Sequence, residues 1–264
     1  MSVRLQFLGG GKMAEALIGG LLTAHWATAP ELAVIEKLPA RRAELAERFD
    51  GLLLPDDPLD EVDVLVAVKP QDVVDAMVRL SGRSTRRVLS IAAGVTIASL
   101  ERQLDPGTRV IRAMPNTPAL VGQGAAALAG GHHATAADLE WAGGVLSSVG
   151  MSVVVDEAQL DAVTGLSGSG PAYVFLVAEA LMEAGREAGL SAAVAAQLTE
   201  QTLLGAARLL QESADDPAKL RADVTSPGGT TAEALAVLTS RGVPEAFVEA
   251  VLAAAARSAE LGRQ

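Results

Sequence analysis

The chain has 264 residues, 50% of them hydrophobic, and a formal net charge of −11. This length allows one large domain or two smaller ones, and the acidic balance argues against nucleic acid as a main partner, because phosphate backbones require clustered lysine and arginine. The sequence has no cysteine, which excludes disulfides, thiolate catalysis and cysteine-based metal sites.

The sequence also indicates a protein that does not bind membranes. Its N-terminus leads into a strand-like segment without a signal peptide. Charged residues interrupt every apolar run that approaches the length of a membrane span. We therefore expect a cytoplasmic protein.

A strand, a glycine turn and a helix are predicted at the N-terminus. Val3 to Leu8 is a short apolar run, and the glycine-rich segment after it leads into apolar residues at helical spacing. Gly9, Gly11 and Ala14 fit the G-x-G-x-x-G/A fingerprint of dinucleotide-binding folds. The first glycine of that motif permits the tight turn, the second lets the backbone approach the pyrophosphate, and the third position lets the helix pack close to the strand.

The residues that follow the second predicted strand (32–35) give opposite indications of whether the cofactor is NAD or NADP. Glu36 stands where an acidic residue binds the ribose hydroxyls of NAD. Lys37, Arg41 and Arg42 follow it and could instead bind the 2′-phosphate of NADP, although a solvated helix start shows the same charges. The sequence leaves the choice between NAD and NADP open.

Strand and helix patterns continue to alternate through the first half of the chain. Buried parallel strands read as continuous apolar runs, and such runs predict strands at residues 52–54, 62–68, 87–92, 108–114, 124–128 and 152–155. Helices are predicted from Pro70 to Leu80 and from Thr135 to Val149. His132 and His133 lie in a glycine-rich turn without further ligands at metal-binding spacing, so we expect exposed loop residues and no metal site.

Ligands of doubly wound sheets bind beyond the carboxyl ends of the strands. The loops after the predicted strands are small or polar, which predicts one cofactor crevice there. The candidate cofactor residues are Leu8, Gly9, Gly10, Gly11, Lys12, Met13, Glu36, Arg41, Ala67, Val68, Lys69, Pro70, Ala93, Gly94 and Asn116.

Strand patterns disappear after about Asp156, and helical periodicity replaces them. We predict a Rossmann-like NAD(P)-binding domain over residues 1–157 and an all-helical domain over residues 158–264. Its predicted helices start at Pro171, Ser191 (as the N-cap), Pro217, Thr231 and Val243. The first of them is apolar around most of its circumference, which predicts burial on all sides. Because about a hundred residues rarely bury a helix so fully, we infer a partner chain.

The segment Thr225-Ser226-Pro227-Gly228-Gly229-Thr230-Thr231 is predicted to open a helix. Thr230 with Glu233 three residues later matches a capping box. The glycines leave the backbone accessible, and a helix N-terminus attracts a carboxylate or a phosphate. Taken alone, the segment fits a well-capped helix equally well.

Five motifs together resemble the pyrroline-5-carboxylate reductase family over essentially the whole chain. They are Phe7-Leu8-Gly9-Gly10-Gly11-Lys12-Met13-Ala14, Ala67-Val68-Lys69-Pro70-Gln71, Arg112-Ala113-Met114-Pro115-Asn116-Thr117-Pro118, Gly168-Ser169-Gly170-Pro171-Ala172-Tyr173 and Ser226-Pro227-Gly228-Gly229-Thr230-Thr231. Two departures stand out. Lys12 replaces a usual asparagine, and Asp56 or Asp57 stands near the place of the family's ribose-contacting asparagine, so that contact is left unassigned.

The resemblance implies reduction of 1-pyrroline-5-carboxylate to L-proline by NAD(P)H, the last step of proline biosynthesis. It also implies a homodimer of interlocked helical domains, often assembled into a decamer, with an active site between one subunit's cofactor crevice and its partner's helices.

Chemical reasoning assigns the substrate residues. Backbone amides at Gly228, Gly229 and Thr230 can bind the substrate carboxylate, with Ser226 beside them. Thr230 is expected to cap the helix. Thr231 is then free to offer its hydroxyl to the ring nitrogen, which is the role the family assigns to that position. Asn116 and Pro70 are expected to flank the nicotinamide.

Three other functions are compatible with parts of this architecture. A β-hydroxyacid dehydrogenase has a similar plan, but Val174 and Ala178 occupy the positions of its lysine and asparagine. A non-catalytic dinucleotide-binding protein is disfavoured by the intact motifs. Another cyclic imine reductase of similar architecture remains the alternative.

Overall fold

The structure is a computed structural model that describes residues 2–262. Gly170–Ala250 forms one compact unit, and the rest of the described chain, including the segment from Val251 onward, forms the other. The C-terminal residues of the last helix therefore belong to the unit that contains the N-terminus. The division at residue 157 stays a prediction from sequence.

The first unit contains a sheet that is mostly parallel. Its strands are β1 (Leu5–Leu8), β2 (Leu32–Ile35), β3 (Asp63–Val66), β4 (Arg87–Ser90), β5 (Arg109–Met114), β6 (Gly124–Gly130) and β7 (Gly150–Val154). Within the described residues the strand order is β2-β1-β3-β4-β5-β6-β7. Only the β5–β6 pair is antiparallel. The strand order reverses between β1 and β3, which creates a topological switch point there.

The strand predictions agree with this sheet except at residues 52–54. There Leu53 makes a single parallel bridge to Ala33 and no strand forms. The bridge contains hydrogen bonds from Val34 N–H to Leu53 O and from Leu53 N–H to Leu32 O, at 2.9 and 3.2 Å. These three apolar residues thus pair with β2 at a single bridge and do not form a further strand of the sheet.

Helices cover both faces of the sheet. They are α1 (Lys12–Thr23), α2 (Pro39–Arg48), α3 (Val73–Val78), α4 (Ile97–Glu101), α5 (Ala136–Ser147) and α6 (Leu160–Val163), with a π-helical turn at Thr164–Gly168. Leu5 and Phe7 of β1 pack in one apolar cluster with α1 and α5, whereas Leu8 packs in a second cluster with α3 and α4. This alternation follows from the two-residue period of a strand.

The second unit is helical, as predicted. Its helices are α7 (Gly170–Glu187), α8 (Ala192–Glu212), α9 (Pro217–Asp223), α10 (Thr230–Ser240) and α11 (Val243–Leu261), whose last turns lie in the first unit. The Ser191 side chain accepts the Val194 N–H and caps α8. None of the residues of α7 is buried in the single chain, and Phe175 and Leu176 are 64% and 65% exposed.

Among residues 2–262, no helix has both the length and the hydropathy needed to cross a bilayer.

An ion-pair network stabilises the first unit near the start of α5. Asp138 is 1% exposed, and one carboxylate oxygen accepts hydrogen bonds from the Thr135 N–H at 2.8 Å and the Thr135 hydroxyl at 2.6 Å. Its other oxygen lies 3.3 Å from the Arg109 guanidinium. Burial would raise the pKa of Asp138, but the Thr135 hydrogen bonds and the charge of Arg109 hold it below its ordinary value of 3.8.

Asp138→Ala is expected to lower the free energy of unfolding by about 2 kcal/mol at neutral pH, because it removes a capping acceptor and leaves Arg109 unpaired. Since the folded-state pKa is depressed, the carboxylate stabilises the fold above roughly pH 4, and this contribution is lost as the pH falls through the folded-state pKa. Urea unfolding from neutral pH to about pH 3 measures the effect. The difference between wild type and variant should shrink on acidification, with exposed Asp50→Ala as the control; a difference that is constant with pH would contradict the assignment.

Candidate functional site

The switch point places the glycine loop beside the end of β3. The Ala67 N–H donates to Leu8 O at 2.8 Å, and the Gly9 N–H donates to Ile35 O at 2.9 Å. Gly9 has φ of +95°, and a Cβ built there would lie 2.9 Å from Ala67 O. Both the left-handed backbone and the close approach of Ala67 therefore require glycine at this position.

A cleft of about 830 Å³ opens at this point of the first unit. The residues at the ends of β1, β2 and β3 line it, as expected for a ligand crevice at a switch point. The predicted cofactor residues that line it are Leu8, Gly9, Gly11, Lys12, Glu36, Arg41, Ala67, Val68 and Lys69.

Among the residues that the structure describes, the first backbone amides of the helix after the glycine loop have no acceptor. Gly11 is the N-cap of α1 and offers no capping side chain, and the hydrogen-bond ladder starts with the Glu15 N–H donating to Gly11 O at 2.9 Å. A Cβ built on Gly11 meets no atom within 4 Å, so the backbone is open to the cleft. Amides of a helix first turn bind phosphate groups, and these residues fit the pyrophosphate of a dinucleotide.

The remaining predicted cofactor residues do not line this cleft. Pro70, Ala93 and Gly94 line a neighbouring cleft of about 610 Å³, which shares Gln71 with the first. Gly10 contributes backbone contacts described below, and Met13 lines neither cleft.

Asn116 also lines neither cleft, and its side chain is held by backbone groups. Its Nδ2 donates to Ser167 O at 3.0 Å, and its Oδ1 accepts the Ala125 N–H at 2.8 Å. The side chain is buried, with 8% of the residue exposed. Asn116 therefore ties the end of β5 to β6 and to the π-helical turn, and its contact with the nicotinamide stays a prediction.

Glu36 follows β2, where the pattern predicts a contact with ribose. Its Oε2 accepts the Gly10 N–H and its Oε1 accepts the Leu38 N–H, both at 2.9 Å. The carboxylate thus connects the glycine loop to the start of α2. Its ribose contact remains a prediction, but its main partners in the structure are backbone amides.

Arg41 lines the cleft and also joins a cluster of protein contacts, and its predicted role as a ligand of the 2′-phosphate stays a prediction. Its Nε donates to Gly10 O at 2.6 Å, one terminal nitrogen donates to Glu44 at 2.7 Å, and the other pairs with Glu15. All three nitrogens of the guanidinium therefore have protein acceptors. The sequence pattern can indicate the pair with Glu44, three residues along the same helix, but not the contacts with Gly10 and Glu15, which lie about 30 residues earlier in the chain.

Glu15 is the buried centre of this cluster, and sequence analysis did not select it. It is 6% exposed, and Arg41, Arg48 and Lys12 surround its carboxylate. Burial would raise the pKa of Glu15, but the hydrogen bond and charge of Arg41, together with Lys12 and Arg48, hold it below the ordinary value. The Lys12 Nζ lies 3.4 Å from Glu15 Oε2, and the Lys12 side chain is 74% exposed. Because Lys12 also lines the cleft, its ammonium lies at the mouth of the cleft.

Arg41→Ala is expected to destabilise the protein by about 2–4 kcal/mol, because it leaves the buried Glu15 carboxylate short of a partner. It should also weaken NADPH and NADH binding by similar factors, since the glycine loop loses the Arg41 contact to Gly10 O. Thermal unfolding and the two dissociation constants measure these effects. A selective loss of NADPH binding with unchanged stability would show instead that Arg41 binds the 2′-phosphate.

In the second unit, α10 starts one residue earlier than predicted. Gly229 is its N-cap with φ −82° and ψ 168°, Thr230 is the first helical residue, and no side chain caps the helix. The predicted capping box of Thr230 and Glu233 is therefore wrong, because the extended Gly229 takes the N-cap position and carries no hydroxyl. Thr230 is exposed, whereas Thr231 is half-buried.

The turn before α10 leaves the first amides of the helix free. The Gly229 N–H donates to Ser226 O at 3.0 Å, and the first helical hydrogen bond runs from Glu233 N–H to Gly229 O at 3.3 Å. Within residues 2–262, the amides of Thr230, Thr231 and Ala232 have no acceptor. The Gly229 amide is thus used by the turn, and the amides of Thr231 and Ala232 join that of Thr230 as available donors. Gly228 adopts φ +67°, which suits glycine.

The described residues hold no group of three or more His, Asp or Glu side chains placed to bind a metal ion. His132 and His133 are exposed in the turn after β6.

The chain matches two family models. Residues 157–261 match the model described as pyrroline-5-carboxylate reductase dimerisation. Residues 4–94, which contain the glycine loop, match the model described as NADP oxidoreductase, coenzyme F420-dependent.

Full-length relatives and solved structures agree with these matches. A pyrroline-5-carboxylate reductase from Synechocystis is 43% identical over 100% of both chains, and one from Pseudomonas aeruginosa is 42% identical over 99% of this chain and 97% of its own. The structure of a pyrroline-5-carboxylate reductase from Coxiella burnetii superposes with a TM-score of 0.91 at 35% identity, covering 100% of both chains. That of a Plasmodium falciparum pyrroline carboxylate reductase with NADP bound gives 0.84 at 27% identity over 98% of each. The chain therefore belongs to the pyrroline-5-carboxylate reductase family.

Proposed function

We propose that this protein reduces the C=N bond of 1-pyrroline-5-carboxylate to give L-proline, using NADPH or NADH, as the final step of proline biosynthesis. The observation that carries this proposal is the match, from end to end, with relatives named for that activity. In the reaction the imine carbon accepts a hydride from NAD(P)H and the ring nitrogen takes up a proton from solvent to become a secondary amine, while the cofactor is oxidised to NAD(P)⁺.

The first unit is proposed to bind the dinucleotide, which supplies the hydride when bound. The free amides at the start of α1 would hold the pyrophosphate, and Lys12 adds a positive charge at the same place. Ala67, Val68 and Lys69 would form the opposite wall of the cleft. Pro70, Ala93 and Gly94 line the next cleft, which we assign to the nicotinamide half.

The second unit is proposed to bind the imine acid at the start of α10. The free amides of Thr230, Thr231 and Ala232 suit a carboxylate, because a helix N-terminus carries partial positive charge. Ser226 and Gly228 shape the turn that exposes them. The Thr231 hydroxyl would hydrogen-bond to the ring nitrogen and orient it while it changes from imine to amine. A hydroxyl is a weak acid, so this role is orientation and hydrogen bonding.

We further propose a homodimer formed through α7 and its neighbours, with assembly of dimers into a decamer, in the cytoplasm. The apolar side chains of α7 support the dimer, since many of them stay largely exposed to solvent when only residues 2–262 surround them. The dimerisation model that matches residues 157–261 supports it independently. Sedimentation analysis would measure both assemblies.

The test is NAD(P)H consumption, followed by absorbance, with 1-pyrroline-5-carboxylate as the substrate. We expect oxidation of the cofactor and formation of L-proline. The six-membered cyclic imine acid and a 3-hydroxyacid with NAD(P)⁺ are run beside it. Failure to oxidise cofactor with any imine would reject the proposal, and a clear preference for the six-membered ring would favour the alternative, another cyclic imine reductase.

A further inference from the structure

We propose that Arg112 is a positioning residue for the nicotinamide half of the cofactor, and that it acts through Glu157 on the loop formed by residues 93–96. This inference rests on the proposed function, which assigns the cleft lined by that loop to the nicotinamide half. In the sequence, Arg112 belongs to a family motif without an assigned role, and Glu157 lies outside the motifs.

Arg112 places a positive charge on an apolar face of the sheet. It lies in β5 opposite Ser90 of β4 and Ala129 of β6, and only 6% of the residue is exposed. Val110, two residues earlier on the same face of the strand, packs in the apolar cluster that also contains residues of α3 and α4. A charge in such surroundings is costly unless it is paired, so Arg112 constrains the position of the acceptor that it uses.

The acceptor is Glu157, which follows β7 and lies 45 residues further along the chain. The Arg112 Nη1 donates to Glu157 Oε1 at 3.1 Å, and the same oxygen accepts the Ile97 N–H at 2.7 Å. Ile97 is the first residue of α4, and the first amides of a helix have no partner within it. Because the Glu157 side chain is 33% exposed and that of Arg112 only 7%, the packed arginine fixes the glutamate, which in turn fixes the start of α4.

This connection ends directly at the loop of the proposed nicotinamide cleft. Residues 93–96 line the cleft and lead into Ile97. At the start of the loop, the Ala92 N–H donates to Ser90 Oγ at 3.3 Å. Inside it, the Val95 N–H donates to Ala92 O at 3.5 Å, which is longer than usual for a hydrogen bond. The shorter hydrogen bond from Ile97 to Glu157 therefore fixes the end of a loop that its own contacts hold weakly.

The N-cap of α4 does not replace Glu157 in this role. The Thr96 hydroxyl accepts the Ser99 N–H at 3.2 Å, so it serves an amide two residues beyond that of Ile97. The two acceptors thus satisfy different donors of the same first turn. Loss of the Glu157 contact would leave the Ile97 amide without this acceptor and allow the loop to shift while the sheet stays folded.

Binding of whole cofactors and of fragments without the nicotinamide ring separates positioning from stability. The probes are NADPH beside 2′-phospho-ADP-ribose and NADH beside ADP-ribose, titrated by calorimetry without any imine. In the wild type we expect the ring to tighten binding of at least one cofactor about tenfold. Arg112→Met should remove most of this gain and leave fragment binding within about twofold. The melting temperature should stay near that of the wild type, because methionine suits an apolar face and the freed Glu157 can turn to water.

Further variants show whether Arg112 acts through Glu157. Glu157→Ala should also lose the gain, and its combination with Arg112→Met should lose no more than either single variant, because the two side chains form one connection. Glu157→Gln keeps an oxygen acceptor and should retain most of the gain. Glu101→Ala is the matched control. Its carboxylate joins α4 to a distant amide, that of His132 at 2.7 Å, but Glu101 lines neither cleft.

Equal binding of cofactor and fragment by the wild type would overturn the proposal, as would an equal loss of both in Arg112→Met with an unchanged melting temperature. Additive losses in the combined variant would reject the route through Glu157. If Arg112→Met does not fold, the comparison of Glu157→Ala with Glu157→Gln decides in the same way. The result is independent of the proposed reaction. A protein that shows this contrast but reduces no imine would keep the positioning role and lose the proposed function.

Discussion

Replacing Gly9 by alanine is expected to weaken NADPH and NADH binding by at least about 100-fold and to lower the melting temperature, because the added methyl group enters space held by the backbone of the next strand. A Cβ at Gly9 would lie 2.9 Å from Ala67 O, 3.1 Å from the Ala67 carbonyl carbon and 2.9 Å from Val68 Cγ1. The first two are backbone atoms of the segment that leaves β3, so the collision cannot be relieved by a side-chain rotation.

The conformation of Gly9 adds to this effect. Its φ of +95° lies in a region that residues with a Cβ rarely adopt. Relief of both problems requires the glycine loop to move away from β3. That movement would disrupt the hydrogen bond from Gly9 N–H to Ile35 O and displace the first turn of α1, which is the proposed pyrophosphate site.

Gly11→Ala is the matched comparison in the same loop. A Cβ there meets no atom within 4 Å, and Gly11 has φ −64°, so alanine fits the folded protein without strain. We expect the melting temperature to stay near that of the wild type while cofactor binding falls, since the methyl group would occupy the approach to the pyrophosphate. Calorimetric titration and thermal unfolding of both variants measure the contrast. A Gly9→Ala variant that binds either cofactor as the wild type does would show that the loop is not the binding element.

The sequence predicts the parts of this fold that depend on local pattern. The strand, glycine turn and helix at the N-terminus agree with β1 and α1, and α9 and α11 begin at the predicted Pro217 and Val243. Each of these elements carries its own signal, such as a continuous apolar run, a proline at the first turn or an unbroken helical period. The short run at residues 52–54 carries the same apolar signal, but it has too few residues to form more than one bridge.

The sequence did not predict interactions that depend on tertiary placement or on the register of a single residue. Arg41 and Arg42 are adjacent in sequence and share their residue type, yet Arg41 pairs with the buried Glu15 and Arg42 donates to backbone carbonyls of the loop at Leu54 and Pro55. Arg79 contacts the loop at Asp56 and Asp57 from another helix, and no spacing rule connects the two. At α10 the S/T-x-x-E pattern is present, but Gly229, the residue before it, occupies the N-cap position.

This shift of one residue changes what the start of α10 offers to a ligand. With Gly229 at the N-cap, the amides of Thr230, Thr231 and Ala232 form the first turn, and both threonine hydroxyls are released from capping. Thr231 is the more buried of the two. The hydroxyl of this half-buried residue stands beside free amides, so it could bond to a ring nitrogen while the amides hold the carboxylate of the same small molecule, which agrees with the proposed division of roles.

Thr231→Val is expected to lower kcat for 1-pyrroline-5-carboxylate by about 100-fold, because it removes a hydrogen bond to the nitrogen whose character changes during the reaction. Valine has nearly the same shape, so the helix should be preserved. Cofactor dissociation constants should be unchanged, since the proposed dinucleotide residues belong to the other unit. Thr231→Ser retains the hydroxyl and should keep most of the activity. Thr239→Val, exposed at the other end of α10, controls for the loss of a threonine from this helix.

The distribution of the loss between kinetic constants identifies the step in which Thr231 acts. If the hydroxyl bonds to nitrogen mainly in the transition state, kcat and kcat/KM should fall together; if it only binds the substrate, KM should rise with kcat unchanged. The free amides of the first turn still hold the carboxylate in Thr231→Val, so we expect the first pattern. Full activity in this variant, or an equal loss in Thr231→Ser, would exclude the hydroxyl as the group that contacts the ring nitrogen.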